Sequence, residues 1–141
     1  MSLKTLIVDD EPTARQILRE GLDLIEGVEV VGEAESGSAA LEKIAAHQPN
    51  LVLLDLQMPG LGGLDVIRRL QHGPSLPAIV VVTAHDKFVQ EAFEAGAVGY
   101  LLKPVGSARL AEAVERARRV AGGEANEVPA ELVKMPDTGV S

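Results

Sequence analysis

Short apolar runs alternate along the chain with segments that have the hydrophobic spacing of helices. Apolar residues recur every three or four positions in each gap and after the last run, as they do on the buried face of a helix. In the first gap this face consists of Ala14, Ile17, Leu18, Leu22 and Ile25. The runs themselves cover residues 5–8, 28–31, 51–54, 78–82 and 98–102. The pattern therefore predicts a strand–helix unit repeated five times.

The character of each run indicates its place in a sheet. The first, third and fourth runs are uninterrupted, which is typical of parallel strands buried on both faces. The second contains Glu29 and is followed by Glu33, which an edge strand tolerates. Right-handed crossovers leave few topologies, and the flavodoxin-like order 2-1-3-4-5 places the second strand at an edge. The predicted fold is an α/β doubly wound sandwich, whose ligands bind at the carboxyl ends of the strands.

Composition and charge narrow the function classes. The 141 residues are 46% hydrophobic, include no cysteine and carry a net charge of −8. This length buries a core that needs no metal or disulfide, and a chain without cysteine has no thiolate chemistry. Residues 1–56 hold eleven acidic and four basic residues, and residues 57–121 hold six acidic and eight basic ones, so no segment is strongly basic and we expect no nucleic-acid binding. No apolar run is long enough for a membrane span and no signal peptide is recognisable, so we expect a cytoplasmic protein.

Acidic side chains follow two of the predicted strands. Asp9 and Asp10 end the first strand, and Asp55 ends the third. If these strands are neighbours, the carboxylates meet at one edge, where their mutual repulsion favours a bound cation. Oxygen ligands without histidine or cysteine favour a hard ion such as Mg²⁺. The alternative is that Asp9 and Asp10 only cap the helix that begins at Pro12.

The other two strand ends add a hydroxyl group and an ammonium group. Thr83 ends the fourth strand, and Lys103 ends the fifth. With a metal-binding set of carboxylates they suit the binding and transfer of a phosphoryl group, whose oxygens need positive charge and hydrogen-bond donors. Asp55 fits best as the acceptor, since aspartate forms acyl phosphates in other proteins.

Several motifs stand in a fixed order within this pattern. They are Asp9-Asp10, Asp55-Leu56-Gln57-Met58-Pro59-Gly60, Thr83-Ala84, and Tyr100 followed by Lys103-Pro104. With them, residues 3 to about 121 resemble the receiver domain of two-component response regulators. The stretch 82–105 is similar to receivers that precede LytTR-type DNA-binding domains.

The resemblance implies a role for each of these residues. Asp55 would be phosphorylated by a sensor histidine kinase or a small phosphodonor, and the chain would be a phosphoacceptor rather than an enzyme. The ligands of Mg²⁺ or Mn²⁺ would be Asp9, Asp10, Asp55 and the backbone carbonyl of Gln57. Thr83 and Lys103 would bind the phosphoryl oxygens, and the Lys103–Pro104 peptide bond would be cis.

The resemblance also implies a switch. Thr83 would move towards the phosphoryl group and Tyr100 would turn inwards, which changes the face formed by the fourth helix, the fifth strand and the fifth helix. A homodimer would form through this face. Gln57 and His85 would tune the loss of the phosphoryl group. We expect Phe93 in the core, and Phe88 and Tyr100 at the surface that changes.

Two other functions fit parts of the pattern. One is a Mg²⁺-dependent phosphohydrolase with an Asp nucleophile, but Asp9-Asp10-Glu11-Pro12 after the first strand lacks the usual cue, two aspartates two positions apart. The other is a nucleotide-binding domain, but no glycine-rich loop follows that strand.

We expect residues 1–121 to form the receiver domain and residues 122–141 to be a linker or tail. A single-domain phosphotransfer shuttle and a regulator with an output domain after Ser141 both remain open.

Overall fold

The computed structural model describes residues 2–72 and 76–121 and confirms the predicted alternation. The strands are β1 (Leu3–Val8), β2 (Val28–Ala34), β3 (Leu51–Leu54), β4 (Ala78–Thr83) and β5 (Gly99–Leu102). The helices are α1 (Pro12–Asp23), α2 (Gly37–His47), α3 (Gly63–Leu70), α4 (Val89–Ala95) and α5 (Ser107–Ala121). All strand pairs are parallel in the order β2-β1-β3-β4-β5, so the predicted topology is confirmed.

The sheet separates two hydrophobic clusters, because successive residues of a strand point to opposite faces. Leu54 packs in the cluster formed with α2, α3 and α4, whereas its neighbour Leu53 packs in the cluster formed with α1 and α5. Every residue of β3 and β4 is buried. In β2 only Ala34 is buried, which agrees with its position at the edge of the sheet.

Helix α1 differs from the sequence prediction at Ile17. Leu18 and Leu22 are 2% and 1% exposed, as predicted, but Ile17 is 52% exposed. Adjacent helical residues lie about 100° apart around the axis, and the narrow buried stripe centred on Leu18 leaves Ile17 outside it. The prediction that Ile17 belongs to the buried face was therefore wrong.

Other boundaries shift by one to three residues. β2 continues to Ala34 and β4 to Thr83, whereas β5 begins at Gly99 rather than at residue 98. Ser36 caps α2 by accepting a hydrogen bond from the N–H of Ala39.

The predicted linker or tail, residues 122–141, lies outside the described residues. Within the described part of the chain, no helix is long and apolar enough to cross a membrane.

Candidate functional site

The register of the central strands brings the predicted acidic residues together. Val8 of β1 pairs with Leu54 of β3, so the next residues, Asp9 and Asp55, lie side by side. The N–H of Asp55 donates to the carbonyl of Val8 at 3.0 Å, which extends the pairing beyond the strand ends. The side chains of Asp9 and Asp55 are 1% and 7% exposed. Two carboxylates are thus held close together with little access to water.

Lys103 supplies the opposing charge. Its Nζ lies 2.8 Å from Oδ2 of Asp9, 3.5 Å from Oδ2 of Asp55 and 3.9 Å from Oε1 of Glu11. The N–H of Lys103 donates to the carbonyl of Thr83 at 2.9 Å, which fixes the end of β5 against the end of β4. The peptide bond between Lys103 and Pro104 is cis, as predicted. One ammonium group therefore bridges carboxylates from two strands.

Burial and neighbouring charges shift the pKa values of Asp55 and Lys103 in opposite directions. Burial raises the pKa of Asp55 above that of an ordinary aspartate, although the hydrogen bond from the Gln57 N–H and the charge of Lys103 lower it. For Lys103, burial lowers the pKa, but the hydrogen bond to Asp9 and the charges of Asp55 and Asp9 outweigh it, and the pKa is raised. Lys103 accordingly remains a cation at neutral pH.

The three aspartates fit a small hard cation. Asp9, Asp10 and Asp55 each offer one carboxylate oxygen such that all three oxygens lie within 4.8 Å of one another. Asp10 is exposed, so the site opens to solvent on one side. Mg²⁺ usually binds one or two carboxylates and keeps several waters, which this half-open set of oxygens allows.

The alternative role of the acidic pair as helix caps is not found. The N-cap of α1 is Glu11, and no side chain caps this helix. Asp9 Oδ1 accepts the N–H of Glu11 at 2.9 Å, which closes a tight turn before the helix. In the described part of the chain, no hydrogen bond or ion pair engages the Asp10 carboxylate. Asp9 therefore shapes the loop, and Asp10 remains available as a ligand.

The remaining predicted residues lie around this centre. Thr83 is 1% exposed, and its Oγ1 accepts the N–H of His85 at 3.4 Å. The N–H of Gln57 donates to Oδ1 of Asp55 at 3.0 Å. The side chains of Gln57 and His85 are exposed on the loops after β3 and β4. Both loops thus border Asp55 and Thr83.

Two of the three aromatic residues are in contact with each other. Tyr100 is half-buried and meets Phe93 edge to face, with ring centroids 6.2 Å apart and planes at 84°. Phe93 is 5% exposed and Phe88 is 36% exposed. Phe93 is thus core, as expected, and Phe88 and Tyr100 are accessible.

Sequence reasoning missed two residues beside the acidic cluster. Arg15 donates from Nη1 to the backbone carbonyl of Asp9 at 2.6 Å. Gly63 begins α3 against the backbone of Asp55 and Leu56. Arg15 stands one helical turn after Glu11, but that spacing does not distinguish it from a solvated arginine.

Comparisons with known proteins give a family match and related sequences. The response regulator receiver domain family matches residues 5–115. The positive alginate biosynthesis regulatory protein of Pseudomonas aeruginosa is 45% identical, over 99% of this chain and 55% of that protein. The transcriptional regulatory protein LytR of Staphylococcus aureus is 36% identical, over 91% of this chain and 52% of that protein. The chain thus spans about half the length of these curated relatives.

Solved structures show the same likeness in three dimensions. The signal receiver domain of the response regulator NarL from Mycobacterium tuberculosis superposes with a TM-score of 0.78 at 35% identity, covering 87% of this chain and 98% of that one. A LuxR-family two-component response regulator from Aurantimonas superposes with a TM-score of 0.82 at 29% identity, over the full length of both chains.

Proposed function

This chain belongs to the response regulator receiver domain family of two-component signalling, and we propose that Asp55 is the residue through which it accepts a phosphoryl group. The observation that carries the proposal is the meeting of Asp9, Asp10 and Asp55 with Lys103 at the carboxyl ends of three strands. Asp55 is tied into this set by two contacts: its Oδ2 lies 3.5 Å from Lys103 Nζ, and its Oδ1 accepts a hydrogen bond from the Gln57 N–H.

The proposed reaction is a displacement at phosphorus. A carboxylate oxygen of Asp55 forms the new P–O bond while the bond to the donor's leaving group breaks. A Mg²⁺ ion held by Asp9, Asp10, Asp55 and the Gln57 carbonyl would offset the negative charge of carboxylate and phosphate. Lys103 and the Thr83 hydroxyl would bind the transferred oxygens, since positioned donors of this kind stabilise charge that develops in the transition state.

We propose a sensor histidine kinase as the donor, as the family implies. A groove of about 620 Å³ lies beside Lys103 and is lined by side chains of α1 and of the loop after β5. Its apolar members include Ala14, Ile17, Pro104 and Val105. Ile17 is exposed beside these apolar residues, which supports a docking role, because contiguous apolar surface marks sites of contact with a partner.

We propose that the phosphorylated form acts through the face of α4, β5 and α5. Thr83 and Tyr100 would be the side chains that move on phosphorylation, and a homodimer would form through this face. Phe88 and Leu102 support this, being 36% and 44% exposed. Gln57 and His85 border the site and would set how water reaches the phosphoryl group. An output such as transcription would lie in the remaining half of a regulator like the relatives above.

The chain is proposed to be a phosphoacceptor, not an enzyme that turns over phosphate esters, and to act in the cytoplasm. Incubation with acetyl phosphate and Mg²⁺ tests this. We expect the intact mass to rise by one phosphoryl group, the adduct to be released by hydroxylamine, and Asp55→Asn to remain unlabelled. Repeated turnover of a simple phosphate ester would instead support the phosphohydrolase alternative.

A further inference from the structure

We propose that Arg15 is a positioning residue for the acidic pair: anchored by Glu33, it holds the peptide between Asp9 and Asp10 and so sets how tightly the site binds Mg²⁺. The inference rests on the proposed function, because it concerns the same metal ligands. Arg15 itself is not among those ligands, and it acts through the backbone.

The backbone of Asp9 is held on both sides. Its N–H donates to the carbonyl of Ala34 in β2 at 3.0 Å. Its carbonyl accepts the Nη1 of Arg15 at 2.6 Å. A hydrogen bond from a charged donor is stronger than one between neutral groups, and the Arg15 side chain is only 15% exposed. The contact therefore restrains the peptide plane that follows Asp9.

That peptide plane determines where Asp10 lies. The Asp10 carboxylate has no hydrogen bond or ion pair in the described part of the chain, so its position depends on the backbone that carries it. Asp9, by contrast, is fixed by its own side chain, which contacts the Glu11 N–H and Lys103. A change in the peptide between them would move Asp10 alone, and the oxygens that now lie within 4.8 Å would separate.

Glu33 holds Arg15 in this position. One of its carboxylate oxygens accepts a hydrogen bond from the Nε of Arg15 at 2.9 Å, and the other accepts one from the Nε of Arg19 at 2.7 Å. Lys43 Nζ also donates to the backbone carbonyl of Glu33. Arg15 thus spans from β2 to the loop after β1. Arg19 shares the carboxylate but has no contact with Asp9 among the described residues, so it provides a matched control.

The test measures Mg²⁺ binding to the full chain without any phosphodonor, from the shifts of the amide resonances of residues 9–11 and 55–57 as MgCl₂ is added. Arg15→Met is expected to raise the Mg²⁺ dissociation constant about tenfold. This is near the lower end of the effect of residues that orient metal ligands. Arg19→Met removes one ion pair of Glu33 in the same way and is expected to bind Mg²⁺ like the wild type. Glu33→Gln keeps Arg15 but weakens its anchor, so its effect should fall between the two.

Equal Mg²⁺ affinity in Arg15→Met and Arg19→Met would overturn the inference. If Arg15→Met does not fold, Glu33→Gln decides, and affinity equal to that of Arg19→Met overturns the inference in the same way. A wild type that binds Mg²⁺ but is not labelled on Asp55 would contradict the proposed function while the effect of Arg15 stands. A wild type that binds no Mg²⁺ would overturn both.

Discussion

At the scale of single residues, the site combines buried acids with one cation. Asp9 and Asp55 are buried side by side, and like charges this close repel each other. Lys103 contacts both carboxylates and offsets part of this cost. Asp10 leaves the cluster open to solvent on one side, which is where the proposed divalent cation would enter.

Thr83 provides a prediction on the switch. Thr83→Val removes the hydroxyl and nearly keeps the shape, so the phosphoryl group would have no hydroxyl to attract. In wild type we expect beryllofluoride with Mg²⁺, which mimics a bound phosphoryl group, to shift the amide resonances around Tyr100. We expect no such shift in Thr83→Val, and a loss of about 1 kcal/mol in stability from the hydrogen bond to His85.

Thr83→Ser is the control, because it keeps the hydroxyl and is expected to retain the shift. A full shift at Tyr100 in Thr83→Val would show that the hydroxyl does not couple the site to this face.

Glu33 provides a prediction on how the free energy of unfolding depends on pH. The hydrogen bond from Arg19 is the main cause that holds the pKa of Glu33 below its usual value, with Arg15 contributing against the effect of burial. A carboxyl group with a lowered folded pKa stabilises the protein at pH values above the pKa of the unfolded chain, and this is lost as the pH falls through the folded pKa.

We therefore expect Glu33→Gln to lower the free energy of unfolding by about 1 kcal/mol at neutral pH, as for partly exposed ion pairs. The difference from wild type should disappear on acidification, as measured by urea unfolding at a series of pH values. A difference that grows as the pH falls would contradict this account.

At the scale of the elements, the sequence predicted the strands because buried parallel strands have continuous apolar runs. It predicted their order because right-handed crossovers leave few topologies and the acids of the second run favour an edge. It predicted Asp9, Asp10, Asp55, Thr83 and Lys103 together because strand ends meet at one edge of a sheet. It did not predict the exposure of Ile17, because hydrophobic spacing does not tell how wide a helix's buried stripe is.

The roles of Arg15 and Gly63 also depend on tertiary contacts. Arg15 reaches the carbonyl of Asp9 and the side chain of Glu33, and Gly63 packs on a neighbouring backbone segment. These contacts depend on how α1 and α3 approach the loops, which no local pattern of residues encodes.

Gly63 provides a prediction on the loop that carries Asp55. A Cβ at this position would lie 2.5 Å from the carbonyl oxygen of Asp55 and 2.8 Å from the Cα of Leu56, both backbone atoms. Gly63→Ala must therefore displace the loop after β3, at a cost of about 1–3 kcal/mol. We expect lower stability in urea unfolding and slower labelling by acetyl phosphate.

The neighbouring Gly62→Ala is the control, because its Cβ would lie at an ordinary 3.6 Å from the carbonyl oxygen of Leu56. If both variants had the same stability and labelling rate, close packing at Gly63 would not position the site.

At the scale of the whole molecule, the negative charge is concentrated in the first part of the sequence. The net charge of −8 arises mostly from residues 1–56, which include Asp9, Asp10 and Asp55. The chain also spans about half the length of its curated relatives.

The domain boundary provides a prediction at this scale. Among the residues that the structure describes, the core clusters on the two faces of the sheet and the site residues all lie between Leu3 and Val120, and we predict that a chain ending at Ala121 folds alone. We expect its thermal unfolding midpoint, followed by circular dichroism, to match that of the full chain, and its labelling rate to be unchanged. A clearly lower midpoint would mean that residues 122–141 belong to the folded domain.

The central claim is that Asp55, and no other acid in the cluster, takes the phosphoryl group. The most direct measurement is to treat the acetyl phosphate-labelled chain with sodium borohydride, which reduces an aspartyl phosphate to homoserine, and to locate homoserine by peptide mass spectrometry. We predict homoserine at position 55 alone, and only when Mg²⁺ was present during labelling. Homoserine at position 9 or 10, or a labelled chain with none at position 55, would contradict the account.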